Sequence, residues 1–164
     1  MDKLRIAGGQ RLKGTVRIGG AKNAALPALA ACLLTGETVR LRNVPGVRDV
    51  RTMRRVLEQL GATATVADDG ETTIKVERIG SFEAPYDLVR KMRASFLVMG
   101  PLLARLGRAK VSLPGGCVLG PRPVNLHLAG FARLGAKIKE EHGYVIAATK
   151  KLSGNVVCFD RPSH

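Results

Sequence analysis

The segments LEQLGATATV (57–66) and FARLGAKIKE (131–140) echo one another, with Leu-Gly-Ala at the same place in each. Each closes a helix-spaced run on Leu-Gly-Ala and passes into residues of strand type. The order helix, strand, helix, strand, strand surrounds both, so the chain is an internal repeat of α/β units. This restricts the fold strongly, because each unit carries an apolar face that a neighbouring unit has to cover.

In the first copy, Asn23 to Leu34 is apolar nearly all round and reads as a buried helix. Pro27 is expected in its first turn, where no intrahelical amide bond is lost. Gly36 is expected to close it. Thr38 to Leu41 reads as a strand and Asn43-Val44-Pro45-Gly46 as a turn. Val50, Met53, Val56, Leu57 and Leu60 have helical spacing, and Gly61 caps that helix. Thr63 to Val66 and Thr72 to Val76 form a hairpin around Asp68-Asp69-Gly70. In the second copy, Ala94 to Leu106 is a helix expected to kink at Gly100-Pro101 and to close at Gly107. Lys110 to Leu113 is a strand and Val124 to Leu134 a helix ending in Gly135. Lys137 to Glu140 and Tyr144 to Ala148 make the second hairpin, around Glu141-His142-Gly143.

Two strands, Leu4 to Ile6 and Thr15 to Ile18, are predicted ahead of the repeat. A third copy is predicted to open with a strand at Asn155 to Phe159 and a turn at Asp160-Arg161-Pro162-Ser163. The chain stops there, so it reads as a fragment of a longer protein. Gly36 and Gly107 are 71 residues apart, and Leu60 and Leu134 are 74 apart. The second copy therefore holds three extra residues between its first strand and its second helix. That enlarged connector contains Cys117 and Arg122, and a connector that the repeat itself does not require is a candidate for function.

At 164 residues one domain is expected. The net charge of +14 attracts phosphates, nucleotides, nucleic acid or anionic lipid without choosing among them. Aromatic residues make up only 4% with no Trp, which argues against a base-stacking surface. The longest apolar run, Ala24 to Leu34, is too short to span a bilayer. No signal sequence is visible. Three cysteines, Cys32, Cys117 and Cys158, form neither a metal-ligand spacing nor a disulfide framework, which suggests a reducing, cytoplasmic setting.

Several side chains suit anions. In GGAKNAALP, Gly19-Gly20 turns the chain, and Lys22 and Asn23 fall at a helix start, where free amides and a lysine make an anion site. The plainer reading is a turn, an Asn23 N-cap and a solvated Lys22. In SLPGGCVLGPRPVNLH, Gly115-Gly116 permits close approach of a ligand. Arg122 can grip phosphate or carboxylate, and nearby cations can activate the Cys117 thiol. The alternative is an incidental loop cysteine. Cys32 and Cys158 read as core residues. Arg93 precedes an apolar helix, a position that again suits an anion, and His127 reads as structural.

Together GGAKNAALP (19–27), APYDLVRKMRAS (84–95), SLPGGCVLGPRPVNLH (112–127) and the LGA repeats resemble the N-terminal part of the UDP-N-acetylglucosamine enolpyruvyl transferases. The likeness runs from Met1 to about Ser163. The shikimate-pathway enolpyruvyl transferase shares the fold without the cysteine loop. The resemblance implies two domains, each built of three α/β units in an inside-out α/β barrel. Residues 1–21 would be strands packing with the second domain, and 22–164 an incomplete first domain. It implies transfer of the enolpyruvyl group of phosphoenolpyruvate to the 3-hydroxyl of UDP-N-acetylglucosamine with release of phosphate, needing no metal or cofactor.

By motif match, Lys22 would bind phosphoenolpyruvate and Asn23 would line the site. Arg93 would contact the UDP-sugar, and Arg122 would bind anionic groups of both substrates. Arg122, Pro123, Val124, Asn125 and Leu126 would line the nucleotide site. Cys117 would be the general acid and the thiol alkylated by fosfomycin. Asn125 stands where the family commonly has aspartate, and the ending RPSH diverges at His164. The second domain's catalytic aspartate and phosphate-binding arginine lie outside the chain, so the fragment is expected not to be competent alone. Two other readings remain: a basic nucleic-acid-binding protein, or a fragment that binds UDP-sugar without turnover.

Overall fold

The computed structural model describes residues 3–68, 70–84, 86–89, 92–113 and 124–159. The first unit consists of α1 (Lys22–Ala31) with a 3-10 turn (Cys32–Leu34), β1 (Thr38–Leu41), α2 (Arg48–Gln59), β2 (Thr63–Val66) and β3 (Thr72–Lys75). After a short α3 (Tyr86–Val89), the second contains a 3-10 segment (Arg93–Val98), α4 (Met99–Leu106), β4 (Arg108–Ser112), α5 (Asn125–Arg133), β5 (Lys137–Glu141) and β6 (Tyr144–Ala148).

Each unit builds one three-stranded sheet, ordered β1-β3-β2 and β4-β6-β5. The middle strand is antiparallel to both neighbours, so the outer strands run parallel to each other. A helix bridges those outer strands, as parallel strands require. One cluster joins the two units: Leu29 and Leu33 meet Met53 and Leu57, with Ile74, Met99, Leu102 and Val145. All eight are fully buried.

The LGA echo has a structural cause. Leu60 ends α2, the Gly61 amide donates to the Glu58 carbonyl (3.0 Å) and the Ala62 amide to that of Leu57 (2.9 Å). Leu134 ends α5 the same way, with Gly135 donating to Ala132 (3.0 Å) and Ala136 to Phe131 (3.0 Å). This is the Schellman closure, which needs a left-handed residue after the cap; Gly61 and Gly135 take φ of +105° and +92°.

Several expectations are corrected. Helix α1 begins at Lys22, so Pro27 is its sixth residue and not in the first turn. Its missing amide leaves the Asn23 carbonyl without the usual partner, at a cost of about 3 kcal/mol. Burial of Leu26, Leu29 and Leu33, at roughly 1.5–3 kcal/mol each, outweighs it. The expected kink at Gly100-Pro101 is instead a change of helix type between Val98 and Met99. Pro101 becomes the third residue of α4.

The strands predicted at Leu4–Ile6, Thr15–Ile18 and Asn155–Phe159 do not form. Leu4 and Ile6 are 95% and 87% exposed. Strand-type residues without a paired edge do not make a strand. Cys158, expected in the core, is exposed. Asn155 instead fastens its segment through its side-chain amide, which donates to the Arg133 carbonyl (2.9 Å).

Sequence periodicity gave no sign of two features. The run Phe82–Ala84 lies parallel to β4: the Lys110 amide donates to the Phe82 carbonyl (2.8 Å) and the Ala84 amide to that of Lys110 (2.9 Å). An ion pair between Lys110 and Glu83 (3.0 Å) reinforces it. From the last turn of α4, Arg105 donates to the carbonyls of Leu33 (3.2 Å), Thr35 (3.1 Å), Val76 (2.8 Å) and Glu77 (3.1 Å). It thereby pins the ends of α1 and β3 to the second unit. Among the described residues no helix is long and apolar enough to cross a membrane.

Candidate substrate-binding site

Lys22 is the first residue of α1, after an extended Ala21 that provides no side-chain cap. Asn23 is the second residue and not the N-cap. The amides of Ala24 and Ala25 both donate to the Ala21 carbonyl (3.2 and 3.0 Å). The Lys22 and Asn23 amides precede them, in the turn where a helix has no internal acceptor.

Gly20 is fixed by close approach. A Cβ there would overlap the Asn43 backbone carbonyl and come within 3.1 Å of Pro45 Cδ. Asn43 itself takes φ of +55°, which asparagine tolerates. The 43–45 segment thus lies against the lead-in to α1 and feeds directly into α2. Asp49, in the first turn of α2, meets Lys22 there: Nζ to Oδ2 is 2.9 Å, with the side chains 48% and 37% exposed.

A second group forms around α5. Arg93 is the exposed first residue of its 3-10 segment. Burial pushes the His127 imidazole below its ordinary pKa, and the charge of Arg93 lowers it further. The His127 ring meets Phe96 edge-on, at 5.8 Å between centroids. Asn125 and Leu126 open α5; Asn125 is exposed and Leu126 half-buried. Val124 is buried. The 3-10 segment packs against α1, so Arg93 and Lys22 stand on adjoining elements.

Cys117, Arg122 and Pro123 lie outside the described residues. An open hollow lined by residues 103–107 and 150–152 contains none of the expected site residues. Among the described residues no group of three or more His, Cys, Asp or Glu side chains could hold a metal ion. Asp49 is the site-adjacent residue that sequence reading missed. Its one signal was an acidic residue at a helix start, where many are found for local reasons.

The repeated α/β units are those of the enolpyruvyl transferase fold. The chain belongs to the EPSP synthase (3-phosphoshikimate 1-carboxyvinyltransferase) family, whose model matches residues 6–163. Within it, the chain is 58% identical over 163 residues to "UDP-N-acetylglucosamine 1-carboxyvinyltransferase 2" of Carboxydothermus hydrogenoformans, covering 99% of this chain and 39% of that protein. It is 60% identical to "UDP-N-acetylglucosamine 1-carboxyvinyltransferase" of Solibacter usitatus, covering 98% of this chain and 38% of the relative. The chain therefore spans less than half the length of these relatives.

Among solved structures, the enolpyruvyl transferase NikO from Streptomyces tendae superposes with a TM-score of 0.74 at 26% identity, over 89% of this chain and 32% of that one. EPSP synthase from Acinetobacter baumannii gives 0.62 at 19% identity, over 87% and 33%, a likeness of fold. The fold is the inside-out α/β architecture, of which this chain forms a part.

Proposed function

We propose that this chain provides the N-terminal part of an enzyme that transfers the enolpyruvyl group of phosphoenolpyruvate to the 3-hydroxyl of UDP-N-acetylglucosamine. Identity of 58–60% to enzymes so named carries the reading. Lys22 opens α1, and a lysine together with the free amides of a helix start suits a phosphate. On this proposal the reaction is the first committed step of peptidoglycan synthesis, in the cytoplasm, serving cell-wall growth, cell shape and division.

The chemistry assigns roles by motif. The sugar hydroxyl oxygen adds to C2 of phosphoenolpyruvate as its proton passes to a base of the second domain, while Cys117, as general acid, delivers a proton to the C3 methylene. Loss of a C3 proton and departure of phosphate from the tetrahedral intermediate restore the enol ether. Lys22 and Arg122 hold the phosphate and carboxylate as charge builds. Asn23 lines the site, Arg93 contacts the UDP-sugar, and residues 122–126 line the nucleotide. Asn125 makes one of these contacts neutral. Residues 1–21 pack with a second domain and 22–164 belong to the first. No metal or cofactor has a role in this scheme.

Because the proposal draws half the site from a second domain, the 164-residue chain is expected to bind without turnover. Titration with UDP-N-acetylglucosamine, with a random oligonucleotide in parallel, tests this. Saturable binding of the sugar nucleotide supports the proposal. Salt-sensitive binding of the oligonucleotide alone favours the nucleic-acid reading that the charge of +14 permits. Robust phosphate release from both substrates by the isolated chain would refute the claim that it needs a second domain. In the complete enzyme fosfomycin is expected to label Cys117 and neither Cys32 nor Cys158, as peptide mass spectrometry would show.

A further inference from the structure

We infer that Asp49 is an internal counter-anion for Lys22 and limits how tightly that lysine takes a phosphate-bearing ligand. The inference rests on the reading of Lys22 as the anion-binding lysine.

Three observations carry it. Asp49 Oδ2 stands 2.9 Å from Lys22 Nζ, so the ammonium already has an anionic partner. Asp49 is the second residue of α2, where the partial positive charge of a helix start favours a carboxylate. The Asn43 backbone closing on Gly20 holds the approaches to α1 and α2 together, which keeps the carboxylate at the ammonium.

The pair is half-exposed on both sides, and such pairs add little to stability. Its consequence therefore falls on the ligand. An incoming phosphate either displaces the carboxylate or sits within reach of its negative charge, and both weaken binding. Unit charges 4 Å apart in water interact by about 1 kcal/mol, which corresponds to about fivefold in affinity. A residue that merely held Lys22 in place would have the opposite effect: its loss would leave binding unchanged or weaker.

The test compares the wild-type chain with Asp49→Asn and Lys22→Ala, each titrated with inorganic phosphate and with phosphoenolpyruvate. The Asn23 amide resonance reports binding. Asp49→Ser, which keeps an oxygen acceptor at the helix start, is measured alongside in case the asparagine variant folds poorly. The expected result is a saturable shift in the wild type that Lys22→Ala abolishes. In the neutral variants the dissociation constant falls about fivefold. If Lys22→Ala abolishes the shift but neutralising Asp49 leaves affinity unchanged or weaker, the inference fails alone. If wild type and Lys22→Ala respond alike, the anion reading of Lys22 fails and the inference with it.

Discussion

Single residues decide more here than their exposure suggests. Arg105 bonds four carbonyls from the first unit with one guanidinium. Hydrogen bonds to a charged group are the stronger kind, and removing the donor strands several acceptors. Arg105→Ala is expected to cost about 2–3 kcal/mol, a fall in Tm of roughly 5–10 °C by calorimetry. Arg105→Lys should recover little, because an ammonium lacks the planar fork. His127 sets a pH dependence. Burial, then Arg93, lowers its pKa in the folded chain, so on acidification the unfolded chain takes up the proton first, from about pH 6.5. Stability should fall as pH drops below that value, until the native imidazole also protonates. Urea midpoints measured from pH 7.5 to 5 should show this slope, and His127→Gln should flatten it. The thiols should divide by environment. Burial pushes the Cys32 thiol up, and its Sγ donates to the Ala28 carbonyl (3.4 Å), whereas Cys158 is exposed. Ellman's reagent should react with Cys158 at once and with Cys32 only on unfolding.

At the scale of elements, one motif is used twice in unlike surroundings. Gly61 and Gly135 close α2 and α5 identically, yet a Cβ at Gly61 would lie 2.8 Å from the Arg78 carbonyl oxygen, while nothing is within 4 Å of one at Gly135. Gly135→Ala should therefore cost only the left-handed backbone penalty, about 1–2 kcal/mol. Gly61→Ala should cost clearly more, and chemical denaturation of the two variants would show the order. The repeat made most elements legible: β1, β2 and β6 have the bounds read from the sequence, and α5 lies within one residue at each end. What failed depended on partners that sequence does not reveal. Leu4–Ile6 and Asn155–Phe159 have strand composition, but no ladder forms on them among the described residues. For the candidate site, the anion-suited positions Lys22, Asn23 and Arg93 were visible as helix starts. Asp49 was not, because its meeting with Lys22 depends on how two separate helices pack.

Across the whole molecule the two units are not equally covered. Helix α2 buries Val50, Met53, Val56 and Leu57, whereas α5 has no fully buried residue and leaves Leu128 and Phe131 half-covered. Hydrogen exchange should accordingly find α2 amides protected close to the global stability and α5 amides opening more readily. On the proposed function, binding of UDP-N-acetylglucosamine at the start of α5 should narrow that gap. The strand order has a further bearing on how such a chain comes into being. In each unit the strand made last is the one in the middle. During synthesis, β1 and β2 emerge with no hydrogen-bonding partner in their own sheet and must wait for β3. A nascent chain that had not yet exposed Thr72 would hold two unpaired edges, the condition in which strands pair with the wrong neighbour.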